Sequence, residues 1–160
     1  MSKIPGPSAA FAALAALLVA SAASASMTSY AGTSCVQELT LSPSIVYQNS
    51  RASAYSTATT FFACPAAQQG GALVEAKASG RDLNPTASVS CHVEAMDEFD
   101  GAASFGASVS SGAEFIGSFT LDLPPPATTF PSGSTVVHCT MPPAGGRDGS
   151  SIGSYAITEM

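Results

Sequence analysis

The stretch Thr86 to Met96, T-A-S-V-S-C-H-V-E-A-M, alternates without a break through Ala95. Ala87, Val89, Cys91, Val93 and Ala95 are apolar, while Thr86, Ser88, Ser90, His92 and Glu94 between them are polar. A side-chain period of two belongs to a β-strand with one face on a core and the other in water. Cys91 falls on the face predicted to be buried. The stretch therefore predicts a half-buried strand that anchors a disulfide in the core of a paired-sheet fold.

Whether Cys91 is oxidised depends on the compartment, and the start of the chain speaks to that. Lys3 is followed by the apolar run Ala9 to Ala20 and then by Ala23-Ser24-Ala25. A basic start, a short apolar segment and a small-x-small site are the layout of a secretory signal peptide, here residues 1–25. The run is shorter than the roughly 20 residues a bilayer requires, and no cysteine stands at the cleavage point to take a lipid. The expected location is secreted or periplasmic, with no membrane attachment of the mature form. Cys35, Cys64, Cys91 and Cys139 are four, an even number, and export makes two disulfides the expectation. Three pairings are open. We favour Cys35–Cys64 and Cys91–Cys139, because each joins segments read below as strands or strand edges.

The 135 residues after the leader suffice for one core. They divide into a small, polar lead-in at 26–34, expected to be flexible, and a single β-sandwich domain at 35–160. With Lys3 removed, Arg51, Lys77, Arg81 and Arg147 face eleven acids, a net charge of −7. Nucleic acid and anionic membranes need a basic face to displace counterions. Four scattered cations exclude both as partners.

Further strands are marked by alternation and by Gly, Pro and Ser punctuation. Cys35 to Leu41 is a weak strand, and Ile45 to Tyr47 a short edge strand before a polar loop at Gln48 to Thr57. Ala58 to Cys64 is rich in β-formers and is stopped by Pro65. Ala72 to Ser79 alternates with Val74, Ala76 and Ala78 on one side. Ser104 to Ser110 and Ala113 to Leu121 flank an expected hairpin turn at Ser111-Gly112. Thr135 to Met141 places Cys139 inward, Ala144 to Gly149 is a Gly-rich loop, and Ile152 to Glu159 closes the chain. Seven to eight short strands with no helical period predict an all-β, disulfide-stabilised β-sandwich, jelly-roll or Greek-key. Phe61, Phe62, Phe105, Phe115 and Phe119 are its expected aromatic core.

Taken in order, Cys35, Cys64-Pro65, Cys91, Cys139-Thr140-Met141-Pro142 and Ser154-Tyr155-Ala156-Ile157-Thr158-Glu159 resemble a group of small secreted bacterial proteins of unknown function. In that group a last Cys-x-x-Pro precedes a closing Ser-Tyr-x-aliphatic-x-Glu strand. The resemblance implies export, disulfides and a β-sandwich, and it carries no activity.

The arrangement that most invites chemistry is Cys91-His92 with His138-Cys139. Four such ligands would suit tetrahedral zinc, but neighbours on a strand point to opposite faces. Cys91 and Cys139 are expected in the core, which leaves His92 and His138 opposite each other outside, as weak metal candidates at most. The acidic turn Glu94, Asp97, Glu98 and Asp100 offers oxygens without the spacing of a calcium loop, so a solvated turn is expected. No G-x-S-x-G, H-E-x-x-H, P-loop or C-x-x-C occurs. The reading is an exported, non-catalytic structural or interaction protein, monomeric and without a cofactor, acting on an extracellular ligand or protein. The alternative is a ligand-binding module of carbohydrate-binding type, with Tyr47, Tyr55 and Tyr155 as platforms.

Overall fold

The computed structural model of the chain describes residues 25–38, 45–112, 114–130, 132–144 and 149–160. The expected signal peptide through residue 24, the part of the expected weak strand and turn at 39–44, and residues 145–148 of the expected Gly-rich loop lie outside the described residues. The strands are β1 (Ser26–Ala31), β2 (Val36–Gln37), β3 (Ile45–Gln48), β4 (Arg51–Ala54), β5 (Thr60–Ala66) and β6 (Leu73–Asp82). They continue with β7 (Ser90–Met96), β8 (Ala103–Phe105), β9 (Val109–Ser110), β10 (Gly117–Leu123), β11 (Ser134–Met141) and β12 (Ser151–Glu159).

Two antiparallel sheets face each other. The first runs β10-β6-β12-β4-β3, with β1 also on β12, and the second runs β2-β5-β11-β7-β8, with β9 also on β7. The pairings nest: β4 with β12, β5 with β11, β6 with β10, and β7 with β8 and β9. Each pair closes inside the one before it, as when one long hairpin is rolled on itself. That nesting makes the sandwich a jelly roll. The three N-terminal strands then extend it at β12, β5 and β4.

The core fills the layer between the sheets. The inward residues of β7 and β11, namely Cys91, Val93, Ala95, Thr135, Val137, Cys139 and Met141, are all buried. Across from them lie Ala76, Ala78, Leu121, Leu123, Ile152, Tyr155 and Ile157. Of the five phenylalanines expected in the core, Phe62 and Phe119 are there, whereas Phe61, Phe105 and Phe115 are exposed. Phe61 follows from parity, since its neighbour Phe62 already points inward. Phe105 and Val109 share a parity but part company, because the chain leaves the ladder between β8 and β9. There Gly106 passes under the Pro124 carbonyl so closely that a Cβ would collide with it. A bulge opposite Thr158 and Glu159 shifts the parity of β6, burying Leu73 and Ala76 and turning Val74 outward.

Four further expectations are corrected. The lead-in at 26–34 is not flexible chain: Ser26–Ala31 forms β1, paired along its whole length with β12. Ladder formation uses only backbone groups, so small polar residues serve, and Tyr30 fixes the docking by stacking on Tyr155 at 4.9 Å. The loop at 48–57 contains β4, reached through Asn49 and Ser50 at φ 50° and 64°. Positive φ at both central residues is the twist a two-residue hairpin needs. Pro65 does not end β5, because the β2 ladder begins only at the Val36–Ala63 pair and does not reach the partner position of Pro65 among the described residues. Ser111-Gly112 is not a hairpin turn, since β9 and β10 lie in different sheets.

A buried carboxylate ties one end of the roll. Asp82 Oδ1 accepts from Asn84 N–H at 3.1 Å and the Ser150 hydroxyl at 3.0 Å, and Oδ2 accepts from Val89 N–H at 3.0 Å and the Ser111 hydroxyl at 2.6 Å. Asn84 extends the network, its Nδ2 donating to the Pro143 carbonyl at 2.6 Å. The first sheet is thereby fastened to the chain entering β7 in the second.

Candidate functional site

Both disulfides lie in the second sheet. Cys35–Cys64 joins the segments at β2 and β5, and Cys91–Cys139 joins β7 to β11. All four sulfurs belong to the buried core. Because each bond links adjacent strands, together they staple four strands of one sheet side by side and leave its outer face free.

Strand register determines what that outer face displays. Val36, Ala63, His138 and His92 form one row across β2, β5, β11 and β7. The next row is Pro65, Val136, Glu94 and Phe105. The rings of His92 and His138 stack with centroids 5.2 Å apart and planes 13° apart, and Phe105 tilts against His92 at 6.1 Å. Glu38 Oε1 lies 2.6 Å from His138 Nδ1, and Glu94 Oε2 lies 2.6 Å from Nε2. Nε2 is buried and has no aligned hydrogen-bond partner among the described residues, so its contact with Glu94 is a close approach off the N–H direction. Burial, and then the neighbouring His138, hold His92 below the ordinary imidazole value. Around this cluster stand Val36, Phe61 and Phe105, which are 55%, 37% and 60% exposed.

The two histidines do meet on the outer face, yet they are not arranged as metal ligands. An ion needs lone pairs aimed at one point about 2.0–2.1 Å from each nitrogen. Parallel stacked rings do not provide that, and a carboxylate oxygen stands against each nitrogen of His138. Among the described residues no three His, Cys, Asp or Glu side chains converge as a metal site. The acidic turn is engaged in its own backbone: Asp97 and Asp100 accept from the N–H groups of Phe99 and Ala102, each at 2.8 Å. Glu94 belongs to the histidine face and takes no part in that turn.

The three tyrosines do not form one platform. Tyr47 and Tyr55 are exposed near the β3–β4 hairpin, whereas Tyr155 is 1% exposed and its hydroxyl donates to the Pro65 carbonyl across the sandwich at 2.5 Å. Tyr155 is a core residue. A cleft sequence reading missed crosses the outer face of the first sheet at the bulge between Ile152 and Ser154. Its lining includes Asn49, Arg51, Ser79, Ser118, Thr120 and Ser154. Gly153 adds no side chain to fill it. Glu38, Phe61 and Phe105 were also missed as face residues. For Phe61 the alternation with Phe62 was a usable signal, and for Glu38 the alternation from Cys35, which puts Val36 and Glu38 on the side away from the buried cysteine, was another.

No family model matches the chain, and no curated protein matches it. Among solved structures it is similar to the CBM35 from Paenibacillus barcinonensis, at 12% identity and TM-score 0.41, over 83% of this chain and 99% of that one. It is also similar to the family 11 carbohydrate-binding module from Clostridium thermocellum, solved with a β-1,3-1,4-mixed-linked tetrasaccharide. There the identity is 12% and the TM-score 0.42, over 84% of this chain and 88% of that one.

Proposed function

We propose that this protein is an exported, non-catalytic interaction domain whose docking face is the outer surface of the stapled sheet. One observation carries the proposal: Val36, Phe61 and Phe105 are exposed on the face that also holds the His138–glutamate cluster. Exposed aromatic and apolar residues around a partly desolvated polar centre are the composition of a recognition patch. Two disulfides hold the strands beneath it, which lowers the ordering cost of binding. Both histidines of the chain sit in this cluster, and neither hydrogen-bonds a serine or threonine hydroxyl among the described residues, as a base activating a nucleophile would.

The test is site-directed photo-crosslinking in the native medium, with the crosslinker at position 105 or, as a control, at position 47. Adducts concentrated at 105 are expected. Equal labelling at the two positions, or adducts only at 47, would refute the face.

The carbohydrate reading is favoured by a separate observation, the cleft lined by Arg51 and the hydroxyls of Ser79, Ser118, Thr120 and Ser154. Convergent hydroxyl and guanidinium groups suit a polyhydroxylated ligand. A glycan array with wild type and Ser79→Trp decides between the two surfaces. Binding abolished by Ser79→Trp assigns the sugar to the cleft, and a blank array removes this second reading.

A further inference from the structure

Glu159 is the last residue of β12 and is 5% exposed. Its Oε2 accepts from the backbone N–H of Gln69 at 2.8 Å. Its Oε1 is buried and has no hydrogen-bond partner among the described residues. A buried carboxylate oxygen without a donor is costly, and the usual remedy is a cation.

Directly across the ladder from Glu159 stands Ser26, the first residue of β1. Antiparallel partners lie about 5 Å apart with their side chains on one face. Ser26, Gln69, Gly71, Glu159 and Met160 line a single cleft at this end of the sandwich. The Ser26 hydroxyl is 3.4 Å from Gln69 Oε1 in the same cleft. Lys77, the one lysine after the leader, is engaged elsewhere by Glu75 and Asp122, at 3.1 and 3.2 Å.

Ser26 is also the residue that follows Ala23-Ser24-Ala25. Hydrolysis of the Ala25–Ser26 amide places the hydroxyl of water on the Ala25 carbonyl carbon and a proton on the Ser26 nitrogen. That nitrogen takes up one more proton at neutral pH, becoming an α-ammonium. We propose that this α-ammonium docks on the Glu159 carboxylate and supplies the donor that Oε1 lacks, so that removal of the leader locks β1 onto β12. Before cleavage the same nitrogen is a neutral amide with a single hydrogen. After cleavage it offers a full charge and three donors. Because β12 also carries β4 and β6, the lock acts at the centre of the first sheet. The inference rests on the export reading.

The first experiment is intact-mass and N-terminal sequencing of the exported protein. A chain beginning at Ser26 is expected, and an exported chain with another first residue overturns the lock while leaving export standing. A chain retained in the cell with its leader refutes the export reading instead, and the lock with it. The second compares melting of the Ser26-start chain with one preceded by Gly-Ser, each with and without Glu159→Gln. The extension should lower the melting temperature by about 3 °C or more, and Glu159→Gln should abolish the difference. Equal melting of the two starts, or an extension effect that survives Glu159→Gln, overturns the proposal. Acylation of the terminal amine gives a readout that needs no Glu159 variant. It should be about tenfold slower for the Ser26 start than for the extended one, and equal rates overturn the lock.

Discussion

Cys91 and Cys139 are direct partners in the β7–β11 ladder, with Cα atoms 4.1 Å apart, and their disulfide lies within one sheet rather than between the two. Cys35–Cys64 stands in the same sheet. The covalent links therefore stiffen one layer, while the two layers are held together by core packing and a few polar contacts. Among those contacts are the Tyr155 hydroxyl on Pro65 and the Asp82 carboxylate on Val89.

Removing either disulfide should destabilise the protein without changing its fold, because the ladder under each bond persists. The separations of 48 residues for Cys91–Cys139 and 29 for Cys35–Cys64 correspond to about 4 and about 3.5 kcal/mol of denatured-state entropy. Urea unfolding of the two double-alanine variants measures both. A larger loss for Cys35/Cys64 would break the loop-length ordering.

Asp82→Ala strips the acceptor from two backbone N–H groups and two hydroxyls. A loss of about 3 kcal/mol is expected, because buried donors are left unpaired. Asp82→Asn keeps one carbonyl oxygen and should fall between wild type and alanine. Denaturant midpoints decide it, and a near-neutral Asp82→Ala would refute the role given to this carboxylate.

His92 gives the stapled face a pH dependence. Burial, then the charge of His138, depress its pKa from an ordinary 6.5, with Glu94 and Glu38 opposing. A base with a depressed folded-state pKa binds protons more readily when unfolded. Its contribution is thus complete above about 6.5 and is lost as pH falls below that value. The melting temperature should drop as the medium is acidified through this window, and His92→Gln should flatten that segment. A drop unchanged in His92→Gln assigns the effect to other groups.

Tyr155 should be silent to alkali until late. Burial, and then the Tyr30 phenol, push its pKa from 10.0 up to about 12. Unfolded tyrosine ionises first, so this contribution to stability is lost as pH rises from 10.0 towards that value. Spectrophotometric titration should show one late tyrosine, absent in Tyr155→Phe. The variant keeps the stack on Tyr30, loses the bond to Pro65, and should cost about 1 kcal/mol. A late tyrosine that survives in Tyr155→Phe would assign it elsewhere.

Strand identity was legible wherever one face is buried. β7 and β11 alternate because each inward residue meets the opposite sheet, and the placing of Cys91 inward and His92 outward follows from that period. Legibility failed where the backbone alone dictates structure. β1 shows no alternation of apolar and polar residues, and β4 alternates over only four residues, Arg51 to Ala54, too short a run to separate from a polar loop. On the outer face, local period gave the sides of His92, Glu94, His138 and Glu38, but not their meeting, since which strands lie side by side is specified by no local spacing.

By itself the sequence determined an all-β chain, the faces of its longest strands and the separation of each cysteine from its adjoining histidine, because these follow from a period of two. The tertiary structure decided the jelly-roll nesting, the burial of Tyr155, the exposure of Phe105 and the meeting of Glu38 and Glu94 on His138. It also placed Ser26 opposite Glu159. Those relations depend on which strand lies beside which and in what register, and register is set by packing the whole chain at once.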